Sequence, residues 1–208
     1  VITHAAMQNL AACGCTVAWA GEGGVRMYAS GVGATRSARN LLHQARLVSN
    51  DRSRLDVVRA MYQRRFPDIL PVGLSLPQIR GREGVRVRQA YARESERTGV
   101  PWFGRSYKRD DWRASDAVNQ ALTAANQCLY GVVHAALVAA GYSPALGFIH
   151  TGHQLSFVFD IADLYKTETS IPAAFDVVEQ GSGDPGRDVR ALMRDRFVAT
   201  RMLARIVK

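Results

Sequence analysis

Two aspartates three residues apart, Asp160 and Asp163, end the apolar segment Leu155-Ser-Phe-Val-Phe-Asp160-Ile-Ala-Asp163. At helical spacing, positions i and i+3 share a face. Upstream lies His150, in Gly147-Phe-Ile-His150-Thr-Gly152, where glycines allow backbone to approach a helix start. Carboxylate oxygens with one imidazole suit Mg²⁺ or Mn²⁺. Such a site needs a further acid from elsewhere, and Glu83 is a candidate. It stands among Arg80, Arg82, Arg86 and Arg88, where an acid by default makes a surface ion pair worth little. Each residue alone also has an ordinary structural role: a satisfied histidine, or an acidic pair on a solvated face.

The charge map strengthens the grouping. Net charge is +9, from 27 Lys plus Arg against 18 Asp plus Glu, which points to an acidic partner. Residues 80–113 hold ten basic side chains against five acids, whereas residues 114–165 hold no Lys or Arg. The acids in that second stretch are Asp116, Asp160 and Asp163. A buried helix pair beside a solvated surface accounts for the contrast. So does a metal site in a basic groove, because carboxylates face phosphates without repulsion when a cation lies between them.

The elements that must position these groups are mostly helical. His4–Ala12 reads as a short helix, and two short strands, 16–20 and 25–28, flank Gly21-Glu-Gly-Gly24 as a hairpin. Asp51 caps a helix carrying Leu55, Val58 and Met61 that ends before Pro67. Further helices are expected over 82–98, from Ser115 or Asp116 to Gly141, over 155–167, over 172–180 and from Asp184-Pro185 onward. The 117–139 stretch is apolar nearly all round, the mark of a central buried helix. Apolar residues make up 47% of 208 residues, and charged residues 22%, which excludes a disordered or collagen-like chain. Three cysteines, Cys13, Cys15 and Cys128, are too few and unpaired in spacing for a secreted disulfide framework. With no uninterrupted run of 18 apolar residues and no signal-peptide pattern, a cytoplasmic, membrane-free protein is expected.

Several segments together carry a family resemblance. They are Arg80-Gly-Arg-Glu83-Gly84, Asn119-Gln-Ala-Leu122, Cys128-Leu-Tyr130-Gly131, Gly141-Tyr-Ser-Pro-Ala-Leu-Gly-Phe-Ile-His150-Thr-Gly152 and Leu155 to Asp163. The chain resembles the CRISPR-associated spacer-acquisition integrases, and most nearly their type I-E version, from about Thr3 to Arg205. The resemblance implies a mainly α fold: a helical catalytic domain, residues 33–208, behind an N-terminally truncated remnant of a β-rich domain, residues 1–32. It implies Mg²⁺ or Mn²⁺ held by Glu83, His150 and Asp163, with Asp160 a fourth catalytic residue. It implies transesterification, in which the 3′-hydroxyl of a short protospacer DNA attacks a phosphodiester of the CRISPR repeat. Endonuclease activity at the same site is implied too. The implied DNA contacts are Arg26, Arg80, Arg86, Arg88, Arg105, Tyr107, Tyr130, His153 and Lys166. His153 stands where type I-E relatives tend to carry lysine. The implied partners are DNA, a second copy of the chain, and a small adaptation subunit completing a hetero-hexamer. Two rivals remain: a scaffold of the same fold that binds DNA without chemistry, and a basic helical protein binding RNA or another anion.

Overall fold

The computed structural model describes residues 2–15, 17–20, 27–31, 37–105 and 115–207. Over these residues the chain is mainly α, as expected. Helix α1 (His4–Ala12) precedes an antiparallel pair, β1 (Val17–Ala20) and β2 (Met27–Gly31), with Val17 opposite Gly31 and an irregularity between Trp19 and Ala20. The hairpin glycines at 21–24 and the domain boundary expected at residue 32 lie outside the described residues. The helical body then runs through α2 (Arg39–Val48), α3 (Asp51–Arg65), α4 (Leu76–Thr98), α5 (Ala117–Ala139), α6 (Ser156–Asp163), α7 (Ser170–Glu179), α8 (Pro185–Ala199) and α9 (Met202–Ile206).

Local chemistry sets most of these ends. Asn50, not Asp51, caps α3: its Oδ1 accepts the Ser53 N–H at 2.9 Å, and Asp51 instead adds negative charge to the first turn. Helix α4 begins at Leu76, six residues before the expected start at 82. Ser75 and Gln78 form a capping box, the Gln78 carbonyl accepting the Ser75 N–H at 2.8 Å, and Pro77 fits the first turn. Gly99 ends α4 in the left-handed region, φ 68°. Asp116 caps α5 through the Asn119 N–H. Helix α6 is shorter than expected, stopping at Asp163, and α9 is an additional turn that the sequence reading did not anticipate.

Helix α5 is the axis. Ala121, Ala125, Leu122, Leu129 and Val133 are inaccessible to solvent, and α6, α7, α8 and α9 pack on it. Its small residues let the neighbours approach closely. By length and composition α5 is apolar enough to cross a membrane, the one such helix among the described residues, but most of it is buried by the bundle. One carboxylate ties the far side together. Asp176 on α7 accepts from Arg97 at the end of α4 and from Arg196 on α8.

His134 is the awkward polar group of this axis. It is 4% exposed, and its Nδ1 has no hydrogen-bond partner. Burial pushes its pKa below the usual histidine value. A depressed folded-state value means that the unfolded chain takes the proton first. This stabilising contribution is therefore complete above about pH 6.5 and is lost as pH falls below it, by up to about 1.4 kcal/mol per pH unit for one proton. Urea unfolding at pH 7.5 and pH 5.5 should show the parent losing more stability on acidification than His134→Gln.

Candidate functional site

The four candidate site residues come from three segments. Glu83 lies in the second turn of α4, Asp160 and Asp163 lie on α6, and His150 lies in the loop between α5 and α6. Helix α6 is held in the core by Phe157, Val158 and Ala162, so its two acids meet the protein interior. Asp160 is 1% exposed. One carboxylate oxygen accepts the Phe148 and Ile149 N–H groups, the latter at 3.0 Å. The other accepts the His150 N–H at 2.9 Å and faces His150 Nδ1 at 2.7 Å. Three backbone donors and an imidazole thus compensate the burial of this charge. Asp160 is saturated: it holds the 148–150 turn and aims the His150 ring. The structure places it behind His150, in direct contact with that ring.

The turn leaves no spare volume. A Cβ on Gly147 would come within 2.2 Å of the His150 carbonyl and 2.8 Å of the Ser156 Cβ. Arg54 on α3 donates from Nε to the Phe148 carbonyl at 2.7 Å. The Asp160 carboxylate holds the His150 pKa above its ordinary value, against burial and helped by Asp163.

Glu83 and Asp163 line one small cavity together with Arg65 and Asp160. Arg65, in the last turn of α3, has a side chain only 4% exposed and pairs closely with Glu83. Burial drives the Glu83 pKa up. Arg65 opposes that, Asp163 adds to it, and His150 opposes it more weakly. Lys166 Nζ stands 2.6 Å from Asp163 Oδ1, and beyond this ion-pair partner that buried oxygen has no hydrogen bond. Burial would lower the Lys166 pKa, but Asp163 and Tyr130 outweigh it and raise it. Lys166 also lies over the Tyr130 ring, 5.0 Å from its centroid. Among the described residues no three carboxylate, imidazole or thiol groups are arranged to hold a metal ion. Each candidate carboxylate instead has a protein cation beside it.

A larger cavity of about 380 Å³ opens beside this one, lined by Tyr91, Arg105, Thr123, Asn126, Tyr130 and Lys166 among others. Three of the expected DNA contacts, Arg105, Tyr130 and Lys166, therefore share one wall. Arg105 is braced there by the Asn119 side chain and Thr123 Oγ1. Arg80 and Arg88 are exposed on α4. Arg86 is half-buried and drawn to Asp68 at 3.1 Å, with Tyr62 donating to the same carboxylate at 2.8 Å, so it braces the α3–α4 turn. His153 Nδ1 accepts the Leu155 N–H at 3.0 Å, and its ring lies against Phe159. Arg26 and Tyr107 lie outside the described residues. Arg65, Arg54 and Asn126 were not singled out in the sequence. An arginine just before Pro67 resembles any helix-terminal cation until the fold points it inward.

Replacing Asp160 by Asn would turn an NH₂ toward backbone donors while keeping the volume. Asp160→Asn should cost about 3 kcal/mol in urea unfolding. No loss of stability would contradict the pinning role.

The family model described as CRISPR associated protein Cas1 matches residues 70–186. The CRISPR-associated endonuclease Cas1 2 of Thermus thermophilus is 55% identical over 100% of this chain and 64% of its own length. The CRISPR-associated endonuclease Cas1 of Escherichia coli is 46% identical over 99% of this chain and 68% of its own. The chain thus spans about two thirds of the length of these curated relatives. A solved structure titled "Crystal structure of TtCas1-DNA complex" superposes with a TM-score of 0.85 at 54% identity, covering 99% of this chain and 77% of that one. One titled "Casposase bound to integration product", at 16% identity and a TM-score of 0.61, shares the fold. With the family model covering more than half of its residues and such relatives matching nearly all of them, the chain belongs to the Cas1 family of CRISPR-associated proteins.

Proposed function

We propose that this chain is the catalytic part of a divalent-metal-dependent DNA integrase and endonuclease of CRISPR adaptation. In this reading it joins the 3′-hydroxyl ends of short protospacer DNA to the repeat array by transesterification, in the cytoplasm. The observation that carries the reading is the convergence of Glu83 and Asp163 on one cavity that Asp160 also lines, the residue that holds His150 at 2.7 Å.

The donor chemistry fits a hard cation. Glu83 and Asp163 offer carboxylate oxygens, and Asp163 Oδ1 is buried without a hydrogen bond. His150 offers its Nε2, because Nδ1 is engaged by Asp160. Two oxygens and one imidazole suit Mg²⁺ or Mn²⁺. When bound, such an ion supplies charge stabilisation at the phosphoryl and leaving oxygens. The chain supplies the positioning. Asp160 holds the His150 ring in one orientation. Arg65 and Lys166 keep the two carboxylates in place and balanced while no other cation is near. Arg105, Lys166 and Tyr130 offer the adjoining cavity two positive groups and an aromatic face for a nucleotide. Arg80 and Arg88 extend the positive surface along α4 and anchor phosphate. The partners in this proposal are DNA, a second copy of the chain and a small adaptation subunit in a hetero-hexamer.

The test uses the whole protein with its small partner, Mn²⁺, a short duplex with free 3′ ends and a repeat-bearing supercoiled plasmid. The parent should give strand-joined product, while His150→Ala and Asp163→Ala should lose at least about a hundredfold in rate. Joining by both variants at the parental rate would overturn the site. Binding by all three with joining by none would favour the DNA-binding scaffold. Affinity should fall steeply with salt, since phosphate contacts release counterions. A flat response would remove the groove assigned to Arg80, Arg88 and Arg105.

A further inference from the structure

The loop that carries His150 is anchored from an unexpected side. Helix α2 buries a single residue, and it is a polar one: Gln44 is 1% exposed. Its Nε2 donates to the Ser143 carbonyl at 3.0 Å and to the Leu146 carbonyl at 2.9 Å. Its Oε1 accepts the Ser143 N–H at 2.8 Å. One turn earlier Asn40 Nδ2 donates to the Ala140 carbonyl at 2.7 Å. Both donors and the acceptor of the Gln44 amide are therefore spent on backbone of the loop that runs from the end of α5 to Gly147. This segment contains a left-handed Gly141, φ 77°, and the crowded Gly147. It forms no regular structure of its own, so side chains must satisfy its polar groups.

We propose that Gln44 is a positioning residue for His150. Two grips hold the loop. Gln44 takes the residues just before Gly147, and Asp160 takes those just after it. The rigid Gly147 turn between them, with no room for a Cβ, converts the position of Ser143–Leu146 into the position of His150. Only a carboxamide serves. A carboxylate at this place would face two carbonyl oxygens, and a thioether would leave two carbonyls and one N–H buried without partners. The functional side of this inference rests on the role proposed for His150; the anchoring side does not.

The experiment uses the full chain as parent, Gln44→Met, Gln44→Glu and Met193→Ala. Met193 is fully buried on α8, which packs on α5, α7 and α9, so its truncation lowers stability away from the loop. Two quantities are read. The first is amide hydrogen exchange at Phe148, Ile149 and His150 against Leu129 and Val133 of α5, without metal or DNA. The second is kcat and KM for strand joining with Mn²⁺, the short duplex and the repeat-bearing plasmid. Gln44→Met should speed exchange at the three loop amides by about tenfold or more and leave the α5 amides unchanged. It should lower kcat by about ten- to a hundredfold at constant KM, the penalty expected of a misplaced catalytic group. Gln44→Glu should behave alike, and Met193→Ala should do neither. Loop exchange and kcat in Gln44→Met equal to those of Met193→Ala would overturn the proposal, as would either change without the other. If the parent itself joins no DNA, the functional reading fails, and the exchange contrast alone decides whether Gln44 anchors the loop.

Discussion

The site depends on one buried carboxylate. Taking a charge out of water costs several kcal/mol unless it finds donors, and Asp160 finds them only if residues 148–150 turn their N–H groups inward. That requirement forces the tight approach at Gly147. It orients His150, and it locks the loop against α6, whose Phe157 and Val158 are already committed to the core. Local charge compensation and packing thus specify the same arrangement. Agreement of this kind between levels gives a sequence one structure rather than several.

Around that fixed point the charges are arranged in pairs. Glu83 has Arg65 and Asp163 has Lys166. A buried ion pair adds little stability over an apolar packing of the same volume. Arg65 opposes the effect of burial on Glu83, whose pKa is nonetheless raised. The basic flank and the charge-poor centre of the sequence thus meet in space.

Much of this arrangement was legible beforehand because it was local. The Asp160/Asp163 spacing put both acids on one short helix, and the all-round apolar pattern of residues 117–139 identified the central helix. The cap at Asp184 was visible as a single residue, and that of α5 as one of two neighbours, Ser115 or Asp116, of which the structure selects Asp116. What escaped was non-local or ambiguous. Asn50 and Asp51 are adjacent capping types, and only backbone geometry selects the first. Arg65 and Gln44 look like surface residues of polar helices until the fold turns them inward. That Asp160 is saturated by backbone donors, whereas Asp163 keeps a buried oxygen without a hydrogen bond, depends on a loop ten residues away, so spacing alone could not separate the two acids.

Helix α4 gives the arrangement a mechanical side. It carries Glu83 near one end and Arg97 near the other, 14 residues on (97 minus 83), or about 21 Å along a helix. At the Arg97 end the double grip of Asp176 fastens it to α7 and α8. The helix is therefore fastened at both ends, by Asp176 at Arg97 and by Arg65 at Glu83. One rigid helix thus joins the Glu83–Arg65 pair to the junction of α4, α7 and α8 on the other side of the molecule.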